Sequence, residues 1–190
     1  MKMVVGLDEA GRGPLAGVVV ACALHLNKEP PFVVKDSKSL SASMREEIFS
    51  WLIKGSVFGV GIASNQEIDK VNILEATFLA FNRAVKKLLS KSAKLKKAKF
   101  IVDGNHFRSD LKINYICQPK ADVYVKEVSC ASIVAKVVRD YLMKSVDFLY
   151  PQWNFSQHKG YPTAEHFSLI ERYALTPFHR RSFSPCRKKG

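Results

Sequence analysis

The sequence predicts an α/β core followed by a C-terminal helical region, on three observations. Two apolar strand-like runs open the chain, helical spacing then alternates with further short apolar runs, and the last stretch reads as helix. At 190 residues the chain fits a core over 1–150 joined to a helical region and basic tail over 151–190, the two forming one structural unit.

The elements follow in order. Met3, Val4, Val5 and Leu7 read as a buried strand, and the apolar run from Gly17 to Leu26 reads as its hairpin partner. Ser43 with Glu46 has the spacing of a capping box, and Met44, Ile48, Trp51 and Leu52 form an apolar stripe that Gly55 ends. Residues 56–64 make a third strand. Asn72 to Ser90 is an amphipathic helix, because Leu74, Phe78, Phe81, Val85 and Leu88 recur every three or four positions. The run from Lys99 to Asp103 is a short strand closed by a Gly-Asn turn, and Ile113 to Ile116 suggests another. Tyr124 to Leu149 reads as one long helix with a largely apolar, buried first half. Pro151 to Pro162 reads as a loop, and Thr163 caps a last helix that runs to about Ala174.

Composition narrows the function classes. With 47% hydrophobic and 25% charged residues the chain is globular rather than disordered. No run approaches the roughly 20 apolar residues of a membrane span, and the N-terminus, whose short apolar run ends in acids, is not a signal peptide. Cys22, Cys117, Cys130 and Cys186 lie far apart without zinc spacing, which suits a reducing cytoplasm. Thirty Lys and Arg against 17 Asp and Glu give a net charge of +13, which favours a polyanionic partner, nucleic acid first. The lysines between Lys86 and Lys99 crowd a helix end and read as a solvated face. The segment from His179 to Gly190 reads as a basic tail able to lie along a phosphate backbone.

The chemistry concentrates in acids at strand ends. Asp8 and Asp103 each close a short apolar strand and are each followed closely by glycine, and Asp8 has Glu9 beside it. A carboxylate in such a place loses hydration, and two together repel. Asp122 stands before the long helix, where it could simply cap the N-terminus. If these four acids converge, all-oxygen ligation suits Mg²⁺ or Mn²⁺ and disfavours zinc. A basic protein with such a cluster suggests phosphodiester hydrolysis with paired metals. The five histidines, His25, His106, His158, His166 and His179, show no spacing that demands a metal, and none is assigned as general base.

The motifs GLDEAGRGPLAG (6–17), DSKSLS (36–41), NILEAT (72–77), VDGN (102–105), SCASIVAKVVRD (129–140) and HKGYPT with HRRSF (158–163, 179–183) occur in the order and spacing of ribonuclease HII, which the chain resembles from Met3 to Pro185. The resemblance implies a ribonuclease-H-like fold, a central mixed β-sheet flanked by helices, with 1–150 as the catalytic core. It implies that Asp8, Glu9, Asp103 and Asp122 bind two catalytic divalent ions, Mg²⁺ or Mn²⁺. It also implies hydrolysis of RNA–DNA hybrids and endonucleolytic cutting 5′ of a ribonucleotide embedded in DNA, as in ribonucleotide excision repair, by a cytoplasmic monomer. By the same resemblance the backbone of Gly11, Arg12 and Gly13 closes on the sugar 2′-hydroxyl, Tyr161 stacks on the neighbouring deoxyribose, and Lys38 and Arg45 contact phosphates. Lys136 and Arg139 belong to the matched helix, where a structural role is expected at least as much as a substrate one.

The chain departs from the family pattern where Ala121 stands just before the fourth acid in place of the usual glycine, and residues 123–128 are more polar than usual, so the backbone at Asp122 is expected to differ. No clamp-binding tail is expected after residue 185. Two rival readings are a ribonuclease HIII-like hybrid nuclease, which would carry Gly-Lys-Gly after the acids, and a nucleic-acid-binding module of the same fold without catalysis.

Overall fold

The computed structural model describes residues 3–32 and 40–189, so Lys38 and most of DSKSLS lie outside the described residues. Five strands, β1 (Val4–Ala10), β2 (Val19–Leu26), β3 (Ser56–Ala63), β4 (Lys99–Asp103) and β5 (Asn114–Gln118), form one sheet in the order β3-β2-β1-β4-β5. The first three pair antiparallel, whereas β4 runs parallel to both β1 and β5, so the sheet is mixed. Around it lie α1 (Ala42–Gly55), α2 (Asn65–Val71), α3 (Ile73–Lys91), α4 (Ala121–Tyr124), α5 (Lys126–Leu149), α6 (Phe155–His158) and α7 (Ala164–Arg172). Among the described residues no helix is long and apolar enough to cross a membrane.

The unbroken apolar run of β2 is explained by burial on both sides. Val19, Ala21 and Ala23 pack with Phe81, Val85 and Leu88 of α3, while Val20, Cys22 and Leu24 pack with Ile133, Val134 and Val137 of α5 and with Leu52 of α1. The period of two sorts one strand into two cores. Gly6 allows α5 to cross β1: a Cβ there would lie 2.2 Å from the Glu127 carbonyl carbon and the Val128 nitrogen. That close approach lays the start of α5 against the strand that carries Asp8.

Local signals explain most boundaries and also the corrections. The α3 stripe is buried at Phe78, Phe81, Val85 and Leu88, and Asn72 caps the helix by accepting from the amides of Leu74 and Glu75. The expected capping box at Ser43 is not formed. Ser41 caps α1 through the Met44 amide at 3.2 Å, because the helix begins at Ala42, and Met44 is half exposed. A capping box stands instead at Ser64 and Glu67, opening α2, an element the hydrophobic pattern does not reveal because only Asn65 and Ile68 of it are buried. The expected long helix is present as α5 and begins two residues later than expected, because Val125 is extended and separates it from the short α4. The expected loop after Leu149 holds a 3₁₀ turn over Pro151–Trp153 and the short α6.

That segment is structured because Trp153 and Phe155 are buried and stack with ring centroids 5.9 Å apart. They join Leu15, Ala16, Met143, Ile170 and Cys186 in a third core, which fastens the C-terminal region to the β1–β2 turn. The reading of 179–190 as a strip lying on phosphates is corrected here. His179, Arg180 and Cys186 are buried, and His179 bridges to Ala16, so the exposed charge of this stretch is Arg181 with Arg187, Lys188 and Lys189.

Candidate active site

Parallel pairing of β1 and β4 brings two of the acids together. Leu7 is in register with Val102, so Asp8 and Asp103 follow on adjacent strands. Both have the parity that faces α5: Val5, Leu7, Phe100 and Val102 belong to the α3-side core, and the residues between them point the other way. The Asp103 carboxylate accepts from the Ala121 amide at 2.8 Å, which fixes the start of α4 and delivers Asp122 from its first turn. One carboxylate oxygen from each of Asp8, Asp103 and Asp122 lies within 4.8 Å of the other two. Asp8 and Asp122 are buried, while Asp103 is half buried.

The departure at Ala121 does not displace Asp122. The left-handed residue in this turn is Lys120, with φ 59°, and Ala121 is wholly buried. Nor is Asp122 a cap of the long helix. It sits inside α4, and α5 begins after Val125 without a side-chain cap.

Glu9 has the opposite parity to Asp8 and stands outside the group of three. Strand pleating points the two adjacent carboxyls to different sides, yet the Glu9 charge still bears on Asp8. Asp8 is held by the Glu9 amide at 2.7 Å and by a hydrogen bond from the Ser132 side chain. Burial first, and then the Glu9 charge, raises its pKa well above the usual carboxylate range. Burial also raises Glu9, opposed by Arg12, whose Nη1 lies 3.3 Å from its Oε1. The site thus concentrates carboxyl groups in a buried place, with Arg12 as the cation that opposes the effect at Glu9. The hard, all-oxygen donor set fits a divalent ion of the Mg²⁺ or Mn²⁺ kind.

A groove of about 440 Å³ leads away from these acids. Gly11, Arg12 and Gly13 line it together with Arg45, Lys136 and Tyr161, while Glu9 and Ser132 connect it to the carboxylates. Glu9 also lines a smaller groove of about 160 Å³ shared with Asp103, His106 and Phe78. The structure therefore brings together every described residue that the sequence singled out, Asp8, Glu9, Gly11, Arg12, Gly13, Arg45, Asp103, Asp122 and Tyr161. The two glycines have different reasons. Gly11 has φ +99°, and a Cβ on it would lie 2.2 Å from Arg139 Nε, so internal packing demands it. A Cβ on Gly13 would meet only the Tyr161 ring, at 3.9 Å across the groove.

Sequence reasoning missed Arg180 and, although it expected a structural role for Arg139, did not show that the two together hold this groove. Arg139 and Arg180 are fully buried, and between them they donate to the carbonyls of Gly11, Arg12, Ala16, Gly17, Val18 and Lys159. Burial, followed by the charge of Arg139, lowers Arg180 to about 9, so it stays protonated at neutral pH. The only signal in the sequence was that both arginines lie within matched motifs. The histidines of the C-terminal region form a second support. His166 Nδ1 donates to the Tyr161 carbonyl at 3.0 Å, and its Nε2 therefore accepts from His179 Nε2 at 3.1 Å. His179 Nδ1 accepts from the Thr176 amide at 3.0 Å, which closes a chain from the C-terminal segment to the backbone of Tyr161.

Both rings must be neutral for this chain to form, and burial lowers His166 to about 4 and His179 to about 3. A folded-state pKa below the free value of 6.5 means that the unfolded chain takes up more protons. Stability is accordingly full above pH 6.5 and falls as the pH drops toward 4, by up to about 1.4 kcal/mol per unit for each ring. Thermal melts from pH 7 to pH 4.5 should show this loss, and His166→Gln should flatten it. An unchanged slope in His166→Gln would refute the neutral-pair reading.

Comparison with known proteins places this geometry. The family model for ribonuclease HII matches residues 5–186. A ribonuclease HII from Polynucleobacter asymbioticus is 45% identical over 190 residues, covering 99% of this chain and 96% of that protein. The ribonuclease H2 of Pyrococcus horikoshii superposes with a TM-score of 0.75 at 29% identity, covering 98% of this chain and 96% of that one. Bst-RNase HIII, solved in complex with Mn²⁺, has the same fold, with a TM-score of 0.81 at 20% identity over 99% of this chain and 69% of that one. The agreement runs from the first strand through the buried C-terminal segment, so it is shared by the whole architecture that positions the acids, and the chain belongs to the ribonuclease HII family.

Proposed function

We propose that this chain hydrolyses the RNA strand of RNA–DNA hybrids and nicks duplex DNA on the 5′ side of an embedded ribonucleotide. The observation that carries this reading is the convergence of Asp8, Asp103 and Asp122 to within 4.8 Å beside a groove lined by Gly11–Gly13 and Tyr161. Asp8, Asp103 and Asp122, with Glu9, are the residues that would hold Mg²⁺ or Mn²⁺. When bound, paired divalent ions supply a nucleophile at neutral pH and stabilise the charge on the phosphate.

The protein's own groups orient the substrate. Arg45 and Lys136 on the groove wall attract the phosphate backbone. The Gly11–Gly13 turn meets the ribose and Tyr161 meets the next sugar, so a ribose followed by deoxyribose sets the scissile phosphate beside the acids. The strand is left with 3′-hydroxyl and 5′-phosphate ends. We further infer that the chain acts as a cytoplasmic monomer in the removal of ribonucleotides from DNA.

The test is a labelled duplex with one ribonucleotide, incubated with and without Mg²⁺ or Mn²⁺. Ion-dependent nicking 5′ of the ribonucleotide is expected. Binding without cleavage under either ion would favour the non-catalytic module instead, and cleavage of long hybrids alone would overturn the single-ribonucleotide activity.

Affinity should also fall steeply with salt, at a slope of roughly −0.9 per phosphate neutralised. Truncation after Pro185 is a poor probe of the tail, because it would remove the buried Cys186 from the third core. Replacing Arg187, Lys188 and Lys189 by glutamine spares that core and should flatten the slope; an unchanged slope would show that the tail stays off the duplex.

A further inference from the structure

We propose that Arg180 and Arg139 are positioning residues that aim the Gly11–Gly13 turn at the groove and tie it to the loop carrying Tyr161. The inference rests on the substrate reading given above for that turn.

The geometry begins with two carbonyls. Arg180 Nη2 donates to Gly11 O, and Nη1 donates to Arg12 O at 2.9 Å. Arg180 has no exposed surface, so both carbonyls point into the protein. In a trans peptide the C=O and the following N–H point in opposite directions. Holding Gly11 O and Arg12 O inward therefore turns the amides of Arg12 and Gly13 away from Arg180. Both of these residues are exposed and line the groove. Two adjacent donors on this side suit an acceptor such as a sugar hydroxyl oxygen.

Arg139 supplies the second tie. Its Nε donates to Val18 O at 3.0 Å, and its Nη2 donates to both Ala16 O and Lys159 O, at 3.2 and 2.9 Å. Lys159 lies two residues before Tyr161, and the Arg139 guanidinium carbon stands 5.5 Å from the centre of the Tyr161 ring. One guanidinium thus touches both walls of the groove. Lysine cannot replace either residue, since an ammonium on a flexible stem does not reproduce a planar fork that serves three or four fixed carbonyls. An apolar side chain in either position would leave these carbonyls without their donors, so the turn depends on both guanidinium groups for its orientation.

The test compares Arg180→Lys with the wild type on a duplex containing one ribonucleotide. We expect kcat to fall about 10²-fold, the cost of a displacement near 1 Å in a substrate-positioning group. The duplex Kd should stay within about threefold, since phosphate contacts dominate affinity, and Mn²⁺ affinity should be unchanged. Equal losses in kcat and in duplex affinity, or no loss at all, would overturn the proposal.

A second measurement needs no variant. Hydrogen exchange at the Arg12 and Gly13 amides of the wild-type protein, with Ca²⁺ as a non-catalytic ion, should slow on adding the ribonucleotide duplex. It should not slow with the all-DNA duplex. Equal protection by both would overturn the proposal even if Arg180→Lys fails to fold. Absence of nicking by the wild type would instead count against the substrate reading, so the two failures are told apart.

Discussion

Asp8→Asn should lose turnover by at least roughly 10³-fold, because charge stabilisation by a bound ion is worth several kcal/mol and each 1.4 kcal/mol is tenfold in rate. The same variant should bind a hybrid duplex almost normally. Affinity comes mainly from phosphate contacts made by a surface of net charge +13. Its stability without metal should not fall and is expected to rise. Asp8 is buried among acids, and burial raises its pKa, so the ionised form opposes folding at neutral pH. Asparagine keeps an oxygen to accept from the Glu9 amide and removes that charge. Asp103→Asn and Asp122→Asn should be similarly severe in turnover. Steady-state cleavage, duplex binding and metal-free thermal melts on one preparation separate these effects. Near-normal cleavage by Asp8→Asn would sink the metal assignment, whereas a lower melting temperature with activity intact would make Asp8 a structural group.

Much of this site was legible because its acids close recognisable apolar strands. Residues 4–8 and 99–103 announce buried strands by composition alone, and glycine after each acid marks where the strand ends. What brings Asp8 beside Asp103 is the parallel register of β1 and β4, a pairing across about 95 residues that no local pattern encodes. The split between Asp8 and Glu9 follows from pleating and could have been read from the alternation. The four residues of α4 were not readable, since their helix is set by a tertiary hydrogen bond from the Ala121 amide to Asp103. Arg180 was least legible of all. In sequence it is one cation in a basic tail, and its burial depends on carbonyls of residues 11, 12, 17 and 18, more than 160 positions away. The histidines gave a similar impression of spacing without purpose, because His166 and His179 meet each other only when the C-terminal region folds, and their remaining bonds go to the main chain of Tyr161 and Thr176.

Substrate choice should show the other large effect. If the amides of the Gly11–Gly13 turn read the 2′-hydroxyl, replacing that hydroxyl by hydrogen at the single ribonucleotide should reduce nicking by roughly 10⁴-fold or more, as happens when a site built to bond a hydroxyl meets its absence. Tyr161 should act at the sugar beyond. Its ring is partly exposed, faces the position of Gly13 across the groove, and is backed by Arg139 and Lys136, with Lys136 Nζ 5.6 Å from the ring centre. Its backbone is held independently, by its amide to His158 O at 2.8 Å and by His166 on its carbonyl. Tyr161→Ala should therefore leave the loop in place and cost the loss of one stacking contact, about 1–3 kcal/mol, or roughly fivefold to over a hundredfold in kcat/KM. That loss should be larger on the single-ribonucleotide duplex than on a long RNA–DNA hybrid, because only the former presents an obligatory junction of ribose and deoxyribose to the ring. Tyr161→Phe keeps the flat face and should retain most activity on both substrates. Equal losses of Tyr161→Ala on the two substrates would assign the ring to general binding, and a melting temperature lowered by several degrees would assign it to the fold.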